Sequence, residues 1–211
     1  MFVMAAIIAV CILPMKLSPH YNGEFSNWRN IYEVMTESIL EGHLYIDYGD
    51  MDPRLLEMEN PYDPVMRKEL GVSFHWDHAL YNGHYYMYYG IVPVFLIFLP
   101  YRIVTGTSLT TYHATQIFVI LFIAGIFTLF YFWARRFFAR LTFGLYLFLS
   151  AAVSVMSVWY SVDAPALYCT AITSGLCLEI WSLYFFAKAV WGGFDDRKSI
   201  VYAFVGSIMG A

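Results

Sequence analysis

The sequence predicts an all-helical, polytopic membrane protein with one large polar insert, and three observations predict it. Of 211 residues, 60% are hydrophobic and only 13% charged, against roughly a quarter charged in soluble domains. The apolar residues fall into long uncharged runs, 18 residues over 117–134 and 22 over 141–162. The acids do the reverse: residues 17–89 hold 12 acidic and 4 basic side chains.

A helix needs about 20 apolar residues to cross a hydrocarbon core. On that rule spans are placed near 1–16, 112–134, 141–162, 164–187 and 199–211, all in a single transmembrane domain. Segment 164–187 carries one charge, Glu179. The last run has 13 residues and no polar stop, and the first is short with no basic flank. The chain therefore reads as part of a longer polytopic protein, and its first run reads poorly as a cleaved signal peptide. Cys11, Cys169 and Cys177 lie in apolar segments, with spacing that suits neither a disulfide framework nor a zinc site.

Orientation follows from the arginines. Arg135, Arg136 and Arg140 join two spans, and Lys188, Arg197 and Lys198 join two others. Positive charge in short links favours the cytoplasmic side. That expectation makes the protein a multi-pass plasma (inner) membrane protein, with residues 17–111 extracytoplasmic and Asp163 on the same outer side. Residues 90–104 cannot then cross. They number 15 and contain Pro93 and Pro100, and proline inside a helix bends or breaks it. They read as a short helix in the outer interface. The tyrosines before it, including Tyr85 and Tyr86, suit either the headgroup layer or a substrate-contacting surface.

Within the insert, Ser26 can cap an amphipathic helix over 27–41 that stops at Gly42. Asn82-Gly83 between aromatic flanks is a two-residue hairpin signal. "ENPYDPVMRKE" (59–69) reads as a turn and a short helix. "DYGDMD" (47–52) lacks the placement of an EF-hand loop and reads as a solvated turn.

Three stretches carry a resemblance: "YEVMTESILEGHLYID" (32–47), "YNGHYYMYYGIVPVFLIFLPYRIVTG" (81–106) and "FYFWARRFF" (130–138). With their spacing, over roughly 17–175, the chain resembles the C-type glycosyltransferase fold of protein O-mannosyltransferases and lipid A aminoarabinose transferases. The resemblance implies a transmembrane helix bundle with juxtamembrane helices in its first outer loop. It also implies an enzyme that takes a sugar from a polyprenyl-phosphate donor, with the bilayer as its other partner and no nucleic acid. An acid just after the first span would be the general base or would orient the acceptor. Many relatives carry adjacent Asp-Glu there, whereas this chain has Glu24 alone.

Sugar transfer needs a carboxylate to take the acceptor's hydroxyl proton, which makes Glu24 the catalytic candidate. The bland reading of Glu24 is an acid beside a helix N-terminus. His75, Asp77 and His78 in "FHWDH" are candidates to bind substrate or, with a divalent cation as cofactor, a leaving phosphate. On an extended segment, His75 and Asp77 share a face and His78 points away; a hairpin network is the alternative. Arg67 and Lys68 can meet a lipid phosphate or be plain surface charges. Asp163 can hydrogen-bond a sugar or hold a loop. His84 has no partner legible in the sequence. A non-enzymatic scaffold or transporter module, binding a partner through its acidic loop, is the competing reading.

Overall fold

The computed structural model describes residues 1–17, 31–49, 51–163, 165 and 167–211. The chain is mostly helical and forms two compact units, Trp28–Thr110 and the remainder, Met1–Asn27 with Thr111–Ala211. In chain order the helices and strands are α1 (Phe2–Met15), α2 (Ile31–Leu40), α3 (Pro64–Leu70), β1 (His78–Tyr81), β2 (His84–Met87), α4 (Leu99–Thr105), α5 (Thr111–Phe137), α6 (Phe143–Asp163), α7 (Leu167–Trp191) and α8 (Asp196–Gly210).

Among the described residues, three helices are long and apolar enough to cross a membrane: α5, α6 and residues 168–191 of α7. At about 1.5 Å per residue, the 14 and 15 residues of α1 and α8 reach little more than 20 Å. With no water to reward apolar contact, helices in a membrane pack through small residues and hydrogen bonds. Here α5 meets α7 at Gly125, where an added Cβ would lie 2.6 Å from Ile180 Cγ2. Beside it, Trp181 Nε1 donates to the Leu121 carbonyl at 3.0 Å. The Thr115 and Thr170 hydroxyls join the same two helices at 2.8 Å. On the next interface, Ser182 donates to the Gly206 carbonyl of α8 at 2.7 Å. Helix α1 packs on α6, and Ser150, Ser154 and Ser161 of α6 are buried.

The Trp28–Thr110 unit is built from short elements with legible ends. Asp63 caps α3 by accepting from the Val65 and Met66 amides, Pro64 opens the helix, and Gly71 closes it at φ +58°. Helix α2 ends before Gly42, at φ +95°; residues 27–30 of the expected helix lie outside the described residues. The segment with two prolines is helical but short. Pro100 has no N–H to donate and crowds the carbonyl four residues back, and a π-helical stretch, Val94–Phe98, absorbs the mismatch just before α4. This segment packs on α2: Tyr32 stacks on Phe98 at 5.2 Å, and Glu37 pairs with Arg102 at 2.8 Å.

Candidate functional site

The β1–β2 hairpin organises the polar unit. Asn82 and Gly83 both take positive φ, +47° and +79°, the geometry of a tight two-residue turn whose twist matches the strands. The register pairs His78 with Met87, Leu80 with Tyr85 and Tyr81 with His84. Opposed residues share a face, and faces alternate along each strand. His78, Leu80, Tyr85 and Met87 therefore lie on one face, and Ala79, Tyr81, His84 and Tyr86 on the other. Ile46 extends the sheet, its amide donating to the Tyr85 carbonyl at 2.7 Å.

On the first face Tyr85 and Ile46 are buried, and Tyr48 gathers the histidines. His75 stacks on the Tyr48 ring at 4.0 Å. The Tyr48 hydroxyl lies 2.8 Å from His78 Nε2. His78 Nδ1 lies 2.6 Å from the Trp76 carbonyl. A carbonyl can only accept, so Nδ1 carries the hydrogen and Nε2 accepts from Tyr48. Burial holds the His78 imidazole below its ordinary pKa. The sequence reading set His75 and Asp77 on one face with His78 opposed. The structure reverses this: Asp77 sits at φ +60°, and that left-handed turn breaks the alternation and swings both imidazoles toward Tyr48.

The second face is open. Tyr45 is sandwiched between His43 at 4.1 Å and His84 at 3.9 Å, with near-parallel rings. His84 thus has the partner the sequence did not reveal. His43 Nδ1 donates to the Tyr45 carbonyl at 2.9 Å, leaving Nε2 facing Glu41 at 3.3 Å. Tyr81, 66% exposed, lies beside Tyr86 with ring centres 6.4 Å apart. The result is a half-buried row of flat rings, exposed at Tyr81 and His84, with a carboxylate at its edge.

Two arginines behave differently. Arg54 donates to both carboxylate oxygens of Asp52, at 3.0 and 2.6 Å, and to the Leu70 and Gly71 carbonyls at the end of α3. Asp52, the last residue of "DYGDMD", is therefore one half of a clamp, and the arginine holds its carboxyl down at a pKa of about 2. Arg67 is 8% exposed. Its guanidinium lies 3.9 Å over the Phe74 ring, and Nε donates to the Pro61 carbonyl at 2.5 Å. Among the described residues it has no carboxylate partner.

Sequence reasoning also passed over Glu33. Burial first, and Glu37 one turn along second, raise its carboxyl pKa. The signal available was its i, i+4 spacing to Glu37 on an amphipathic helix.

The structure brings His75, His78 and Tyr85 together, with Asp77 in the turn between the two histidines. Tyr86 is on the other face, and Lys68 is exposed. Asp163 ends α6 in the helical unit and is exposed. Glu24 lies outside the described residues. Among the described residues no group of three or more histidine, cysteine or acidic side chains is placed to hold a metal ion. No family model, curated protein or solved structure matches the chain.

Proposed function

We propose that the protein is a membrane glycosyltransferase that moves a sugar from a polyprenyl-phosphate donor to an acceptor on the outer face of the inner membrane. One observation carries the reading: the half-buried His43–Tyr45–His84 stack, open to solvent at His84, with Tyr81 and Tyr86 on the same face. Flat rings accept the C–H face of a sugar, and a carboxylate at their edge accepts its hydroxyls. Arg67 adds support, as a buried guanidinium without a carboxylate partner among the described residues suits a phosphate oxygen. In the reaction, the acceptor oxygen attacks the anomeric carbon and its proton passes to a carboxylate. The bond from that carbon to the phosphate oxygen breaks, and the phosphate leaves with the electron pair. Glu24 is the carboxylate the sequence pattern nominates, and Glu33 is a second one with the raised pKa that base catalysis uses. The arginine-bearing links favour an outer location for this unit.

The test is transfer of labelled sugar from polyprenyl-phosphate in membranes carrying the full-length protein. Glu24→Gln is expected to lower the rate on the order of 100-fold or more, and Arg67→Gln to raise the KM for the donor. Transfer unaffected by Glu24→Gln and Glu33→Gln removes the carboxylate mechanism. Sugar-independent binding of a protein partner by the same unit supports the scaffold reading instead.

A further inference from the structure

Two open surface pockets lie in the helical unit, at the corner where α5 turns into α6. One, of about 550 Å³, is bounded by the link itself and includes Phe137, Arg140 and Thr142. The other, of about 210 Å³, is a groove between the helices lined by Phe130, Trp133, Tyr146 and Leu149. Phe138 and Leu141 line both, so the two are adjacent. The groove wall is almost wholly apolar. It is held open by Tyr146, whose hydroxyl donates to the Phe127 carbonyl at 3.0 Å and fixes the start of α6 against α5.

Charge distinguishes this corner from other apolar surface. Arg135, Arg136 and Arg140 are all exposed, and among the described residues none has a carboxylate partner. Arg136 lies over the Phe137 ring at 6.0 Å, and the 192–198 link adds exposed Asp196, Arg197 and Lys198. Lys188 lies over the rings of Phe132, Tyr184, Phe194 and Tyr202, at 4.9 to 6.0 Å. Asp195 accepts from the Lys198 amide at the start of α8. At 27 residues, α5 is about 40 Å long, which exceeds a hydrocarbon core of about 30 Å. Its arginine end therefore reaches the depth of lipid phosphates.

We propose that the α5–α6 corner is a binding site for one anionic phospholipid, its phosphate on Arg135, Arg136 and Arg140 and an acyl chain in the groove lined by Trp133, Tyr146 and Leu149. An apolar slot that opens beside Arg140, with Arg135 and Arg136 exposed on the last turn of α5 and without carboxylate partners among the described residues, fits an amphiphile with an anionic head. A free phosphate leaves the slot empty, and a zwitterionic lipid brings a second cation to a cationic corner. The site concerns the bundle alone and does not rest on the sugar-transfer reading.

The experiment uses the full-length protein in neutral detergent, with dioleoylphosphatidylglycerol, dioleoylphosphatidylcholine or inorganic phosphate added. Retained lipid is counted by native mass spectrometry and the unfolding midpoint is followed. Wild type is expected to retain phosphatidylglycerol at least tenfold over phosphatidylcholine. The triple variant Arg135→Gln/Arg136→Gln/Arg140→Gln should lose that preference. Leu149→Trp, which fills the groove and leaves the charges, should reduce retention of phosphatidylglycerol. Circular dichroism and gel-filtration profiles matching wild type keep both variants informative. Equal retention of the two lipids, or phosphatidylglycerol held undiminished by either variant, overturns the site. Stabilisation by inorganic phosphate equal to that by lipid overturns it in favour of a simple anion site.

Discussion

Tyr48 donates its hydroxyl to Nε2 of His78, thirty residues further along the chain, at 2.8 Å. The bond ties the loop after Ile46 to the first strand and places a phenol between two imidazoles. It is half-buried, so Tyr48→Phe is expected to cost about 1 kcal/mol, read as a lower unfolding midpoint in urea. The same pair predicts a pH dependence. Burial depresses the His78 pKa in the folded state, so the unfolded chain binds the proton more readily. Stability is full above the ordinary histidine value of 6.5 and falls as pH drops below it. His78→Gln should flatten that slope between pH 7 and 5; a slope unchanged by the substitution contradicts the assignment.

Asp52 and Arg54 predict a second acid-sensitive step at lower pH. The carboxyl titrates at about 2 rather than the ordinary 3.8. A depressed carboxylate stabilises the fold above the unfolded value and loses that contribution as pH falls through the folded one. The clamp should therefore weaken between about pH 4 and pH 2. Asp52→Asn is expected to remove this step and to speed proton exchange at the Ser73 amide, which donates to Asp52 at 3.3 Å.

How much of this was legible beforehand depends on range. The Asn82-Gly83 turn, the Asp63–Pro64 start of α3 and the stop at Gly42 are local chemistry, and the sequence carries them whole. The three long helices are equally plain, because an uncharged run of that length has few alternatives. The cluster at Tyr48 was not legible. Its geometry depends on Asp77 adopting a left-handed φ, which a period-2 reading excludes, and on contacts that bring residues 48, 75, 78 and 85 together. The Arg102–Glu37 pair spans 65 residues, and Arg67 gives no sign in sequence that Phe74 and Pro61 enclose it.

Glu33 separates stability from function. Its charged form is disfavoured by burial and by Glu37, so it opposes folding as pH rises through its raised value. Glu33→Gln should raise the unfolding midpoint at pH 7 and leave it nearly unchanged at pH 4. If Glu33 takes the acceptor's proton, the same variant loses sugar transfer while gaining stability. A variant that is more stable and fully active limits Glu33 to a structural role.

Gly125 tests the helical unit. A side chain there meets Ile180 Cγ2 at 2.6 Å and Trp181 Nε1 at 3.2 Å. Ile180 is β-branched and buried, so it has little freedom to give way. Gly125→Val is expected to force α5 from α7 and break the Trp181–Leu121 bond, at a cost of about 1–3 kcal/mol. A lower unfolding midpoint and a red-shifted tryptophan emission would report it. Gly175, with open space around its Cβ position, is the control: Gly175→Ala should leave the midpoint unchanged or raised.

Glu179 lies midway along α7, exposed on a face with Ile172, Leu183 and Phe186, and among the described residues it has no hydrogen-bond or ion-pair partner. A charge at the centre of a spanning helix opposes insertion by about 3 kcal/mol, whereas leucine favours it. In a reporter of membrane insertion carrying residues 167–191, Glu179→Leu should raise the inserted fraction, with Glu179→Gln between the two. The full-length protein distinguishes two reasons for tolerating the acid. If Glu179 faces lipid, Glu179→Leu stabilises the protein as it improves insertion. If a further transmembrane helix supplies a hydrogen-bond donor at that depth, insertion improves and the folded protein loses stability, because the donor is then left unpaired.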